Sequence, residues 1–265
     1  MSLEELKKYE DRWETSVGAC IPGERVIFRG KDLFTDAYDL GWVGLLFYGI
    51  SGREFSKPEL EMLEAMMVIS GSFPDPRIWN NRISALAGTA RSTASLGFSA
   101  ATAVTEAQIY GHGAVIKAFE FIEAGTKATA NGANLEEFTL SWMKKARRVP
   151  GFGRPITDVD ERLGPLLAVA KKLSLDGGPH LAFALSVESF LKNSRYKQGM
   201  NAAGLVCALA ADMNVSMRDF YMFSWLSFLG GIFPCYTDAT EKPEGSFFPL
   251  SCKKINYVGK GRRTW

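Results

Sequence analysis

Asn134-Leu135-Glu136-Glu137-Phe138-Thr139-Leu140-Ser141-Trp142-Met143-Lys144-Lys145-Ala146-Arg147-Arg148, followed at once by Val149-Pro150-Gly151-Phe152-Gly153, reads as one helix written with both of its ends. Asn134 offers a side-chain oxygen to the amides of a first turn, and Glu137 stands three residues on, at capping-box spacing. Leu135, Phe138 and Trp142 fall on one face. Lys144, Lys145, Arg147 and Arg148 sit where the negative end of the helix dipole favours cations, and Pro150-Gly151 closes the run. The same grammar recurs elsewhere. Ser56 and Glu59, with Pro58 in the first turn, precede Leu60, Leu63 and Met67, and Gly71 stops that helix. Leu163, Leu166, Leu167, Ala170 and Leu173 make another apolar stripe, and Pro179 opens a helix that runs through Leu191. Strand signals are confined to Val26–Arg29 and Ile255–Val258. The fold class expected is all-α.

Composition narrows the function classes. The chain has 265 residues, 46% of them hydrophobic, with 31 Lys plus Arg against 29 Asp plus Glu. A net charge of +2 supplies no overall field for nucleic acid. Only His112 and His180 supply imidazole, so a three-histidine metal site is excluded. Cys20, Cys207, Cys235 and Cys252 are scattered without a Cys-x-x-Cys pair, which argues against zinc and dithiol chemistry and for free thiols in a reducing cytoplasm. Met1–Trp13 is charged and lacks the apolar core of a signal peptide.

Phe220–Thr237 carries no charged residue, but Gly230, Gly231 and Pro234 interrupt it; a buried or interface helix is expected there and no membrane span. Ala85–Ala107, rich in Ala, Ser, Thr and Gly, predicts closely approaching helices or a subunit surface. Loops bearing Gly and Pro flank residues 158–199. They predict a small helical subdomain at 158–199 beside a large helical domain made of 1–157 and 200–265.

Four segments in register resemble the citrate synthase superfamily, which includes the citryl-CoA lyases and the lyase module of ATP-citrate lyase. They are Val26-Ile27-Phe28-Arg29-Gly30-Lys31-Asp32-Leu33; Gly111-His112-Gly113-Ala114; Val149-Pro150-Gly151-Phe152-Gly153 with Asp160-Glu161-Arg162; and Tyr257-Val258-Gly259. The resemblance implies a large helical domain with a small one, a coenzyme A thioester as substrate, a small carboxylate or keto acid beside it, no metal, and a homodimer packed through Ala85–Ala107 and Phe220–Phe233. It makes His112 the donor to an enol oxygen, with a helix-start histidine hydrogen-bonded to backbone as the bland alternative. It puts Pro150, Gly151, Phe152 and Gly153 against the adenine of coenzyme A, and Arg162 on a substrate carboxylate, with an ion pair to Asp158 or Glu161 as the bland alternative. Lys144, Lys145, Arg147 and Arg148 would meet the phosphates of coenzyme A or else form a solvated helix end.

The departures from the family pattern are as telling. Arg154 stands where the family has a second catalytic His, and Met200 where it has the Asp that removes the methyl proton. The segment Asp75–Asn81 lacks the expected substrate-binding His. Ser227 or a neighbour replaces an arginine expected before Gly230, although the nearby aromatic Phe223 is kept. Arg77 and Arg154 would re-form a carboxylate grip through bidentate guanidinium hydrogen bonds. Two functions are expected from this pattern. One is an acyl-CoA-dependent enzyme that forms or cleaves a C–C bond, with His112 and Arg154 at the reacting groups. The other is an inactive homologue that binds coenzyme A or carboxylates, or dimerises with an active relative. Both require the imidazole of His112 to open on a cavity.

Overall fold

The computed structural model describes residues 2–71, 73–109, 111–146, 148–154, 159–247 and 251–261. Among them eleven α-helices occur: α1 (Leu3–Lys7), α2 (Gly41–Ser51), α3 (Lys57–Ser70), α4 (Trp79–Thr89), α5 (Ala94–Val104), α6 (His112–Ala130), α7 (Leu135–Ala146), α8 (Leu163–Lys172), α9 (Pro179–Asn193), α10 (Ala202–Asp212) and α11 (Met217–Thr240). Short 3-10 turns lie at Tyr38–Leu40 and Cys252–Lys254. One antiparallel sheet joins β1 (Gly18–Ile21), β2 (Arg25–Phe28) and β3 (Lys31–Asp32), with Ala19 opposite Ile27 and Phe28 opposite Lys31. The all-α expectation holds.

The helix signals act as read. Asn134 Oδ1 accepts the Glu137 amide at 3.0 Å, and Ser56 exchanges hydrogen bonds with Glu59 through its own amide and hydroxyl. Pro179 occupies the first turn of α9. Val26–Phe28 is the middle strand, because β1 and β3 flank it. Ile255–Val258 is a correction: it forms no strand and is exposed, with Val258 at 88%. Its β-branched residues gain nothing from an extended conformation without a sheet to join.

The chain divides into two compact units, 1–70 with 108–227 and 71–107 with 228–265, so the first half of α11 belongs to one and the second half to the other. Residues 158–199 fall within the first unit, and α8 and α9 share its core through Leu166, Ala170, Leu181, Val187 and Leu191. At the centre of that core lies α10, apolar all round as a fully enclosed helix must be, with every residue from Leu205 to Ala211 buried. Phe119, Phe121 and Ile122 of α6 pack in the same core. In the second unit the small-residue run is two helices, as expected. A Cβ on Gly97 would come within 2.8 Å of Ala87 Cβ, so α4 and α5 approach as closely as glycine permits. Ser84 donates to the Ile232 carbonyl at 2.6 Å, tying α4 to the second half of α11. Among the described residues no helix is long and apolar enough to cross a membrane.

Candidate active site

The hairpin Val149–Gly153 lies against the turn that starts α10. Phe152 bridges Met200, the Gly153 amide donates to Gly199 O at 2.8 Å, and the Asn201 amide donates to Gly151 O at 3.0 Å. Asn201 clamps both sides: its Oδ1 caps α10 at the Gly204 amide (3.2 Å), and its Nδ2 donates to Gly153 O (3.0 Å). Gly151 has φ +84°, and a Cβ there would stand 2.9 Å from Gly204 Cα. Conversely, a Cβ on Gly204 would stand 2.5 Å from Gly151 O. The two glycines exist so that two backbones can touch. Pro150, Gly151 and Phe152 are buried, and the amides of Phe152 and Gly153 are spent within the fold, on Val149 O and Gly199 O. Amide donors at these two positions for an adenine ring, expected from the sequence, are therefore committed elsewhere. Gly153 alone of the four is partly exposed.

Asp160 fastens the start of α10. It is 3% exposed, accepts from the Ala202 amide at 2.8 Å, and holds Arg162 in a fork with Nε at 2.8 Å and Nη2 at 2.7 Å. Burial pushes its carboxyl up, but the hydrogen bonds from Arg162 and Ala202 outweigh burial and hold it below the usual carboxylate range. The partner of Arg162 is thus Asp160, not Glu161; Asp158 lies outside the described residues. Glu161 instead pairs with Arg154 at 2.6 Å, and Arg154 also donates to Val159 O at 3.0 Å. Met200, where an acid would be needed, is buried. The carboxylate beside it is Glu188 of α9, which the sequence reading passed over: Oε1 accepts the Met200 amide at 3.0 Å and Lys192 Nζ at 2.9 Å.

His112 is the first residue of α6 and is 0% exposed. The indole of Trp225 stacks on it with centroids 4.3 Å apart and 27° between planes, and Tyr221 meets it edge-on at 5.2 Å. Among the described residues, the first unit forms two of the surface cavities. One of about 620 Å³ lies between the start of α7 and the end of α9, and one of about 540 Å³ lies between α6 and His180. His112 lines neither. The expectation of an open imidazole is corrected: α11 closes over it with aromatic rings, which bury more readily than polar groups. Tyr221 and Trp225 are four residues apart on one face of α11, an i,i+4 aromatic pair legible in the uncharged stretch but not singled out from it.

The remaining predicted residues scatter. Phe223 is buried in the core against Phe47, with ring centroids 3.7 Å apart. Arg77 belongs to the second unit, where its side chain is 84% exposed and pairs with Asp75. Lys144, Lys145 and Arg148 are exposed, with Lys145 over the Trp142 ring at 5.8 Å, while Arg147 lies outside the described residues. Cys207 is buried, and that burial, with the charge of Glu123 behind it, pushes its thiol far up. His180 is oriented by Asp212, whose carboxylate accepts from the His180 and Leu181 amides and meets Nδ1 at 2.8 Å; it caps α9.

Neither family models nor curated sequences match the chain. Solved structures do. A citryl-CoA lyase from Hydrogenobacter thermophilus superposes with a TM-score of 0.83 at 20% identity, over 96% of this chain and 97% of that one. An ATP citrate lyase from Methanothrix soehngenii, solved with citrate and coenzyme A, gives 0.79 at 18% identity, over 98% of this chain but 45% of its own. A citrate synthase from Pyrobaculum aerophilum gives 0.65 at 18% identity, over 86% of this chain and 55% of that one. With the all-helical architecture, these likenesses show that the chain shares the fold of the citryl-CoA lyase, ATP citrate lyase and citrate synthase structures.

Proposed function

We propose that this chain binds a coenzyme A thioester and a small carboxylate or keto acid and makes or breaks a carbon–carbon bond between them, as a citryl-CoA-type lyase or synthase acting as a cytoplasmic homodimer. The observation that supports it most is the likeness to a citryl-CoA lyase along nearly the whole of both chains. In this reading His112, enclosed by Trp225 and Tyr221 in this structure, is uncovered when ligand binds, and one of its N–H groups then stabilises the negative charge that develops on the thioester oxygen as the C–C bond breaks or the enol forms. Lys144, Lys145, Arg147 and Arg148 attract the phosphates of coenzyme A at the exposed end of α7, and partly exposed Gly153 is the hairpin's point of contact with the nucleotide. Each candidate arginine already holds a carboxylate, so the choice among them is one of displacement. Asp160 is buried and cannot leave Arg162 cheaply, and Arg77 stands on the other unit with Asp75. Glu161 is largely exposed, so Arg154 is the guanidinium a ligand carboxylate captures most readily.

Met200 favours a second reading, a ligand-binding homologue without turnover, since loss of a general base costs about 10²–10⁴-fold in rate. One experiment separates the two. Thermal unfolding is followed with coenzyme A, acetyl-CoA and a series of di- and tricarboxylates; a ligand at 100 times its Kd stabilises by about 2.7 kcal/mol. Thioester formation and cleavage are then assayed with any ligand that binds. Turnover that His112→Ala abolishes, with the coenzyme A shift retained, is the enzyme's signature. A shift without turnover identifies the binding homologue, and no shift with any coenzyme A compound sinks both readings.

A further inference from the structure

We propose that the cavity between α6 and the start of α9 is a second ligand site, for a short amino acid whose ammonium lies among Glu120, Glu123 and His180 and whose carboxylate meets Lys127. The cavity, of about 540 Å³, is lined by these four residues and Ala124. Asp212, which orients His180, ends α10, about 15 Å along that helix from the hairpin. The site therefore owes nothing to the reading of the chain as a coenzyme A enzyme. His180 is a built acceptor. The Asp212 carboxylate, its side chain 6% exposed, accepts the His180 amide at 2.8 Å and the Leu181 amide at 2.9 Å, and meets Nδ1 at 2.8 Å. An acceptor on that side puts the ring hydrogen on Nδ1, so the neutral imidazole keeps its lone pair on Nε2. Among the described residues Nε2 forms no hydrogen bond. Gly178 makes room for the arrangement, because a Cβ there would stand 2.0 Å from the Asp212 carboxyl carbon.

The α6 wall is a row of uncommitted charge. Glu120, Glu123 and Lys127 share one face of the helix. Among the described residues none of the three forms an ion pair or a side-chain hydrogen bond. Glu123 and Lys127 have the same spacing at which Glu188 and Lys192 of α9 do pair, at 2.9 Å. Behind the cavity, Phe119, Phe121 and Ile122 of α6 and Leu181, Phe183 and Ala184 of α9 are packed in the core. Close packing fixes both backbones, and the long side chains of α6 are left to adapt. The charges choose the ligand. Two carboxylates and one lone pair match the three donors of a primary ammonium. A simple amine would leave Lys127 as a second cation beside it, and a carboxylate on the same ligand removes that repulsion. Lys127 follows Glu123 by one turn, about 6 Å along the axis, a separation that three methylenes between charged ends can span. The methyl of Ala124 offers those methylenes an apolar surface. A metal ion fits less well, because among the described residues no three His, Cys, Asp or Glu groups are placed to share one.

The chain's two histidines make the test direct. The full chain is prepared with carbon-13 at the histidine Cε1 positions, and His180→Gln identifies which of the two NMR signals belongs to His180. γ-Aminobutyrate is titrated at about pH 8, where an alkylamine is charged and an ordinary imidazole is neutral. The His180 signal moves saturably, with a millimolar midpoint, and that of His112 stays in place. The double variant Glu120→Gln, Glu123→Gln raises the midpoint about tenfold, the effect of losing charge-assisted hydrogen bonds. Both side chains are exposed, so the fold tolerates the change. Butylamine and butyrate, each carrying one charged end of the probe, bind about tenfold more weakly than the amino acid. A His180 signal that moves no further than with sodium chloride at the same ionic strength overturns the site. So does a midpoint unchanged in the double variant. Butylamine that binds as tightly as γ-aminobutyrate overturns the assignment to an amino acid. No coenzyme A compound enters the measurement, so this site and the functional reading stand or fall separately.

Discussion

The glycine hairpin at 149–153 and the imidazole at 112 are the two motifs that most resemble a ligand site, and within the same unit the structure treats them in opposite ways. The contacts that fix the hairpin have uses the fold itself supplies. Gly151 and Gly204 let two backbones meet, Asn201 clamps both, and Asp160 fixes the start of α10 while holding Arg162. A ligand is not needed to explain any of them. His112 differs in kind: its ring sits among side chains, stacked on Trp225 and met edge-on by Tyr221, contacts that an apolar ring could also make. A resemblance to a binding motif is weak testimony where packing demands the same residues, and stronger where packing would be served better by others.

The sharpest way to break this contrast is to show that the hairpin glycines are dispensable to the fold. In Gly151→Ala the new residue must hold φ +84° and place its Cβ 2.9 Å from Gly204 Cα. Left-handed strain costs about 1–3 kcal/mol, and overpacking against backbone that cannot yield costs about 1–3 kcal/mol more. The expected loss is the sum, read from the midpoint of urea unfolding. A variant as stable as the native chain would mean that the hairpin is held loosely and its glycines serve something else.

Asp160→Asn probes the clasp, with a smaller expected effect of about 2–3 kcal/mol; breaking a buried pair costs more, but Arg162 is partly exposed and regains water. The pH dependence has a definite sign. The folded carboxyl of Asp160 lies below its unfolded value of about 3.9, so its stabilisation is complete above that value and is lost as pH falls through the lower, folded pKa. The native chain should lose stability steeply below about pH 4, and Asp160→Asn should flatten that limb. An unchanged acid limb would assign the acid sensitivity to other carboxylates. Asp75 is also held low by Arg77, and Glu161 by a hydrogen bond from its own backbone and then by Arg154, but those carboxylates are too exposed to contribute much.

The helices were legible because their ends are local chemistry. Asn134, Ser56 with Glu59, and Pro179 act over four residues of chain, which a linear reading can see. The failures are all long-range. Nothing adjacent to Arg162 tells Asp160 from Glu161 as its partner; the choice is made by Ala202, whose amide draws Asp160 inward from 42 residues away. Phe223 looked like a site residue because its neighbourhood resembled one, and only the arrival of Phe47 makes it core. The closing of His112 by Trp225 depends on which face of an uncharged helix turns toward α6. A stretch apolar on all sides carries no periodicity to announce that choice.

The smallest expected effect is the one that decides whether His112 belongs on its own side of the contrast. His112→Gln keeps a polar side chain of similar bulk at the head of α6 and gives up the stack on Trp225. A stacked or edge-on aromatic pair is worth about 0.5–1.5 kcal/mol beyond area, so the loss in urea should be about 1 kcal/mol, well below that of Gly151→Ala. If the imidazole were there for the fold, as the glycines are, its removal would cost as much as theirs. A loss of that size with thioester turnover unaffected would turn His112 into a structural ring and erase the distinction. A loss near 1 kcal/mol with turnover abolished would leave chemistry as the reason an imidazole occupies that place.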